Sequence, residues 1–288
     1  MLAVIGGSGI YGIEGLRATR SERVDSPFGA PSDEILFGEL DGVALAFLPR
    51  HGRGHRIPPS EINYRANIDA LKRAGATHVL SVSAVGSLRE ELEPGVFVIV
   101  DQFVDRTFAR EKTFFGTGLV AHVSMARPVC DRLGDALAQA ARAATLRHVR
   151  GGTYLVMEGP QFSSAAESEL YRSWSCDIIG MTNMHEAKLA REAELCYASV
   201  GMVTDYDAWH PHHDDVTVQM VIATLTLNAA KARELVARVA PLVGAFEGPC
   251  PHGCQTSLEH AIITPPEHRD PAVAARLDAV AGRVLRRA

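Results

Sequence analysis

Leu2-Ala3-Val4-Ile5-Gly6-Gly7-Ser8-Gly9-Ile10-Tyr11-Gly12 opens the chain, and its two halves carry different physics. The first is a continuous apolar, β-branched run, the pattern of a strand buried on both faces. The second is a glycine-rich turn. Glycines reach positive φ freely and leave backbone N–H groups facing outward, and the Ser8 hydroxyl adds a donor, so the segment suits a phosphate cradle. A plain tight turn is the competing reading. Gly7, Gly9 and Gly12 also fit G-x-G-x-x-G, yet a dinucleotide fold needs a helix at once and an acid closing a second strand ~20 residues on. Ile13-Glu14-Gly15-Leu16 and Ser26-Pro27-Phe28-Gly29-Ala30-Pro31 are loop chemistry instead, which argues against a nicotinamide cofactor.

The same strand signature recurs along the chain. Val43–Leu48, His78–Val82, Val96–Val100, Thr153–Met157, Asp177–Ile179 and Cys196–Val203 read as strands. Between them Asn63–Ala74, Cys130–Ala144, Ala165–Trp174, Met184–Glu194 and Val216–Val239 carry helical periodicity. Strands alternating with helices predict an α/β fold, with helices covering a largely parallel or mixed sheet. Residues 1–245 read as one domain. Residues 246–288 add a loop rich in Pro, Gly and His and a final amphipathic helix from Pro271, docked on the same domain or on a neighbouring subunit.

Composition excludes several classes. The 288 residues are 47% apolar and 22% charged, ordinary for a folded globular protein. Lys plus Arg number 29 against 34 Asp plus Glu, a formal net charge of −5, which argues against a nucleic-acid surface. No apolar run approaches the ~18 residues of a membrane span. The N-terminus lacks the basic region of a signal peptide, and five cysteines spread over the chain do not suggest a disulfide framework. A cytoplasmic protein without a membrane partner is expected.

Several loops carry polar chemistry. Arg50-His51-Gly52-Arg53-Gly54-His55 places cationic forks and imidazoles among glycines, a set suited to a small dianion, although a solvated loop explains it equally in isolation. Ser83-Ala84-Val85-Gly86-Ser87 reads as a third small-residue loop. Three loops at the carboxyl ends of strands converge on one crevice of an α/β sheet. Glu158-Gly159-Pro160-Gln161-Phe162 and Gly180-Met181-Thr182-Asn183 place an aromatic and a thioether where a heterocycle can stack, or where they simply fill core. Thr204-Asp205-Tyr206-Asp207 puts two carboxylates at a strand end, on one side by the i, i+2 rule, so that both address one ligand edge; a solvated turn is the alternative.

No metal site is expected. His210, His212, His213, Asp214 and Asp215 sit in a Pro-containing loop, where Asp214 or Asp215 suits a helix N-cap. Cys250-Pro251-His252-Gly253-Cys254 groups three soft donors, but no second pair stands at a recognised spacing.

Taken in order, these segments, with Pro59-Ser60-Glu61-Ile62-Asn63-Tyr64-Arg65-Ala66-Asn67 and Gly86-Ser87-Leu88-Arg89, make the chain from Leu2 to Val243 resemble the trimeric purine nucleoside phosphorylase family, in its branch acting on 5'-methylthioadenosine. The resemblance implies a mixed central sheet surrounded by helices, a homotrimer, and phosphate-dependent cleavage of an N-glycosidic bond without metal or organic cofactor, phosphate being co-substrate. It places phosphate on Ser8, Arg50, His51, Ser83, Ala84 and Thr182. Phe162 and Met181 would flank ribose and base, and Ser163, Asp205 and Asp207 would address the purine. His55, Val218, Val221 and the neighbouring subunit's His122 would line the 5' pocket. Ser8 and Ser83 stand where threonine is frequent, and His185 where proline is common. Other 5'-modified adenosines, adenosine itself and 6-oxopurine nucleosides are the alternative substrates.

Overall fold

The computed structural model describes residues 1–7, 10, 12–211 and 217–286. Strands β1 (Leu2–Gly6), β2 (Arg17–Glu22), β3 (Ile35–Leu40) and β4 (Val43–Pro49) precede helix α1 (Tyr64–Arg73). Then follow β5 (His78–Ser87), β6 (Phe97–Ile99), β7 (Gln102–Asp105), α2 (Asp131–Ala143), β8 (His148–Arg150) and β9 (Thr153–Val156). The chain continues with α3 (Ala165–Ser173), β10 (Ile178–Gly180), α4 (Asn183–Glu192), β11 (Cys196–Asp205) and α5 (Val218–Gly244), and closes with α6 (Pro271–Arg276) and α7 (Asp278–Leu285).

The sheet is mixed and forks at β5. One path runs β2-β3-β4-β1-β5-β10-β9-β7, while β11 pairs with β5 and with β6, and β6 with β8. Strand β11 lies parallel to β5 from Cys196↔His78 to Asp205↔Gly86. The opposite edge of β5 is shared, since β1 takes its first residues in parallel and β10 takes Gly86 and Ser87 antiparallel. Because β4, β1, β5 and β11 are mutually parallel, their carboxyl ends lie along one rim.

The continuous apolar strands bury both faces, as their composition requires. Ala3 and Ile5 of β1, Val79 and Val85 of β5, and Tyr197 and Val203 of β11 pack with α1, α4 and α7. Their alternate neighbours Leu2 and Val4, Leu80 and Val82, and Ala198, Val200 and Met202 pack with α2 and α5.

Two sequence expectations are corrected. Residues 83–87 are not a loop after a strand ending at Val82: β5 runs to Ser87, because β11 and β10 supply ladder partners on both edges. The final helix is broken at Leu277, whose φ of −93° and ψ of 12° close α6 before α7 begins. The helix N-cap expected at Asp214 or Asp215 lies outside the described residues. Strands β2, β7 and β8 carried no long apolar run to betray them, β2 being exposed at every residue, whereas β3 opens on the apolar Ile35-Leu36-Phe37 and was missed all the same. No helix among the described residues is long and apolar enough to cross a membrane.

Candidate active site

Strand β5 is the ruler of the site. Ser81 and Ser83 stand in its middle and Gly86 three residues beyond Ser83, a separation of about 10 Å along a strand. Each position anchors a different chemistry.

At the first pole, Arg50 follows β4 and reaches across β1 to β5. Its buried guanidinium donates from Nε to Glu186 Oε1 at 2.5 Å, from Nη2 to Ser81 Oγ at 2.6 Å, and from Nη1 to the Val82 carbonyl at 3.0 Å. Glu186, on α4, also accepts from Ser81 Oγ at 2.5 Å and from Tyr197 Oη at 3.2 Å. Arg50 is thus neutralised inside the protein rather than offered whole to an anion. Of its five N–H groups, one on Nη1 keeps no partner among the described residues. Glu186, Ser81 and Tyr197 escaped the sequence reading because they lie inside regular elements with no loop signature.

Ser83 and Thr182 meet at this pole through Tyr154. The buried Tyr154 hydroxyl lies 3.4 Å from Ser83 Oγ and also faces Thr182. Thr182 is the N-cap of α4 but donates to Asn183 Oδ1 at 2.7 Å instead of capping the helix. Half-buried Ala84 follows Ser83 on β5. His51 is half-buried, with its ring stacked on exposed His55 at 4.1 Å between centroids. Its Nδ1 lies 2.8 Å from the Ile57 carbonyl, which only accepts, so Nδ1 carries the proton. Burial and the nearby Arg50 charge push the His51 pKa down to about 4, so at neutral pH its Nε2 is an acceptor. Ser8 lies outside the described residues.

At the second pole stand Asp205 and Asp207, only 6% and 7% exposed. Asp205 ends β11 just past an irregularity at Thr204, the kind of bulge that re-aims a side chain. Its Oδ2 accepts from Thr204 Oγ1 at 2.7 Å and its Oδ1 from the Asp207 backbone N–H at 2.9 Å. Asp207 has a φ of +51°. The two acids are therefore gathered by an Asx turn, not by strand alternation. Burial raises both pKa values; the Asp207 charge raises Asp205 further, and the bonds from Thr204 and Asp207 N–H oppose this. Asp207 Oδ2 has no hydrogen-bond partner among the described residues, although the Ser168 and Ser163 hydroxyls stand near enough to favour its charged form. Gly86 faces this pair: a Cβ there would lie 2.9 Å from Asp205 Oδ1 and 3.3 Å from Asp207 Cβ.

Surrounding groups hold the acids in place. Trp209 Nε1 donates to the Ser87 carbonyl at 2.8 Å, under the Arg172 guanidinium. Thr224 Oγ1 of α5 donates to the Thr204 carbonyl at 3.4 Å.

Buried Arg110 joins the loops that bear Phe162 and Met181. It donates to Glu158 Oε1 at 3.0 Å and also bonds the Met181 and Glu158 carbonyls. Burial alone would raise Glu158, but Ser60, the Phe108 and Ala109 N–H groups and Arg110 together hold it down at about 2. Half-buried Met181 sits beneath Gly159, where a Cβ would meet its Sδ at 2.5 Å. Phe162 is exposed, and Ser163 donates to Met157 Sδ at 3.8 Å. His185 is fully buried, stacked on Tyr64, with Nε2 2.9 Å from Thr107 Oγ1, so it supports α4 rather than lining the site. The expected 5' residues are the least enclosed. Val218 is 58% exposed, Val221 is half-buried, and exposed His122 is held by its N–H to the Ala261 carbonyl at 2.8 Å.

A mixed sheet with a donor-lined pole on β5 and a carboxylate pole at the end of the adjacent β11 is the arrangement of a phosphorylase-class α/β protein. The chain belongs to the phosphorylase superfamily, whose family model matches residues 1–241. It is 62% identical over 286 residues to a protein of Cereibacter sphaeroides named S-methyl-5'-thioadenosine phosphorylase, covering 99% of both chains. A protein of the same name from Rhodospirillum rubrum is 62% identical over 285 residues, covering 99% of this chain and 97% of the other. Among solved structures, a methylthioadenosine phosphorylase from an antarctic soil metagenomic library superposes with a TM-score of 0.90 at 47% identity, covering 97% of this chain and 98% of its own. A mutant adenosine/methylthioadenosine phosphorylase from Schistosoma mansoni, in complex with adenine, gives 0.83 at 35%, covering 98% and 97%.

Proposed function

We propose that this chain catalyses phosphorolysis of S-methyl-5'-thioadenosine, giving adenine and 5-methylthioribose 1-phosphate. The observation that carries the reading is the buried Asp205–Asp207 pair packed against Gly86 of β5, the strand that also bears Ser83 of the Arg50, Ser83 and Thr182 pole; relatives sharing 62% of residues over nearly the whole chain bear that activity in their names.

In the reaction a phosphate oxygen bonds to C1' as the C1'–N9 bond breaks, and the departing purine gains a proton at N7. Positive charge develops on the ribosyl ring and negative charge on the base. A dianion held beneath C1' by Ser8, Ser83, the Ala84 backbone, Thr182 and the open Arg50 N–H serves as nucleophile and as electrostatic stabiliser. His51 Nε2 accepts from the remaining O–H of monohydrogen phosphate. Asp205, its pKa raised by burial, keeps or shares a proton for N7, and Asp207 accepts from the 6-amino group, with Ser163 beside it. Phe162 and Met181 flank ribose and base. His55, Val218 and Val221 form the 5' pocket, closed by His122 of an adjacent subunit in a homotrimer. The reaction needs no catalytic metal or organic cofactor and takes place in the cytoplasm, with nucleoside and phosphate as its partners.

Adenosine is the second substrate worth testing, because the Schistosoma mansoni relative is named for both nucleosides. Base release from methylthioadenosine, adenosine and methylthioinosine, compared as kcat/KM, tests the reading. The 6-amino, 5'-methylthio compound is expected to lead. Preference for the 6-oxo compound would remove the acid pair from its assigned role.

A further inference from the structure

Four of the five cysteines converge although the sequence scatters them. Cys130, Cys196, Cys250 and Cys254 are all buried, and their sulfurs lie within 4.8 Å of one another, Cys130 and Cys250 at 3.6 Å. Cys250 and Cys254 come from one tight turn, in which the Gly253 N–H returns to the Cys250 carbonyl at 3.1 Å and Gly253 takes φ +67°. Cys196 begins β11, and Cys130 is the N-cap of α2, tied to β11 by its N–H to the Tyr197 carbonyl at 2.7 Å. The missing second pair is thus supplied by residues too distant in sequence to show a spacing.

We propose that these four sulfurs form a structural binding site for a soft divalent cation, zinc, distinct from the active site. A tetrahedral zinc with Zn–S near 2.3 Å holds its sulfurs about 3.8 Å apart, the scale found here, whereas a disulfide needs about 2.0 Å. On binding, four S–H bonds give way to four Zn–S bonds and four protons pass to solvent, leaving a net charge of two minus on the centre. The protein already supplies the counter-charge. Arg191 is buried and has no carboxylate partner among the described residues; its Nη1 lies 3.7 Å from Cys254 Sγ. Its Nη2 donates to the Arg127 carbonyl, but a buried guanidinium without a countercharge is costly, and a thiolate centre beside it offsets that cost. The N-terminus of α2 adds its partial positive charge at Cys130. His252 is not a fifth ligand, for it turns to Asp131 at 3.7 Å. The site fastens residues 250–254 to the start of the strand that ends in the acid pair.

The test uses the full-length protein, produced with zinc in the medium and dialysed into metal-free buffer. Elemental analysis is expected to find about one zinc per chain, and cobalt substitution to give thiolate-to-cobalt charge transfer with tetrahedral d–d bands. Cys196→Ser and Cys254→Ser should lose both signals, and Cys176→Ser, the fifth cysteine, should keep both. Background zinc with no cobalt spectrum overturns the proposal. So does an intact mass short by two hydrogens per bridge under non-reducing conditions, or full zinc retention in Cys254→Ser. If the serine variants do not fold, the zinc content and cobalt spectrum of the unaltered protein decide alone.

Discussion

The backbone N–H of Asp207 donates to Asp205 Oδ1 at 2.9 Å, which makes the acid pair one structural unit. The bond fixes the Asp205 carboxyl, and the turn that provides it swings the Asp207 side chain to the same place. Asp205→Asn keeps the shape and, through its side-chain oxygen, that bond, but cannot exchange a proton with the purine. Turnover should fall by about 10² to 10⁴-fold, the usual worth of a positioned general acid, with thermal stability little changed. Because burial raises both carboxyls, kcat/KM should decline as pH rises through the pair's titration, and that limb should vanish in the variant. Near-native turnover of Asp205→Asn removes this residue from the chemistry.

Gly86→Ala tests the packing against the pair. A Cβ at 2.9 Å from Asp205 Oδ1 and 3.1 Å from Ile179 Cγ2 forces a shift of a few tenths of an ångström. A site held to such tolerances should lose about 10²-fold in kcat/KM. Circular dichroism and phosphate protection against unfolding should stay close to the parent, since the first pole is untouched. Unaltered kinetics would show that the acids tolerate displacement.

Arg50 and Glu186 form a buried pair whose partners depend on each other. Removing one, as in Glu186→Leu, leaves an uncompensated buried guanidinium and should cost about 3–5 kcal/mol in denaturant unfolding. Removing both, as Arg50→Met with Glu186→Leu, should cost less than the sum of the single changes. Additive losses would mean that the two charges are stabilised separately.

Glu192 sets a pH dependence of stability away from the site. Burial raises its pKa to about 7 against bonds from the Phe114 N–H and the Thr113 hydroxyl. The folded pKa lies above the unfolded value, so the contribution is full below about 4.5 and is lost as pH rises through about 7, at a cost on the order of 3 kcal/mol. Glu192→Gln should therefore be more stable than the parent at pH 8 and nearly equal to it at pH 4.5. Parallel stability curves from urea titrations across that range would contradict this.

Much of this was legible in the residues, and the rest was hidden for physical reasons. The core strands announced themselves because they are buried on both faces and so apolar throughout, as Leu2–Ile5 is. Solvent-exposed β2 had no such need, and the last five residues of β5 read as a loop because they are mostly small and polar, Gly86 being the one position where the Asp205 and Ile179 side chains leave no room for a Cβ. The acid pair, Arg50 and Thr182 stood at strand ends, where polar residues look out of place. Glu186 and Tyr154 sit within regular elements, and the four-sulfur cluster joins residues up to 124 positions apart. Only the fold brings these into contact.

On this reading the polar pole beside β5 holds a phosphate that becomes bonded to the sugar. The most direct measurement is the identity of the sugar product formed from S-methyl-5'-thioadenosine with and without ~10 mM phosphate, read alongside adenine release, so that product and rate address the same bond. 5-Methylthioribose 1-phosphate is expected in amounts equal to adenine, with no release in the absence of phosphate. Free 5-methylthioribose appearing at the same rate in phosphate-free buffer would contradict this reading.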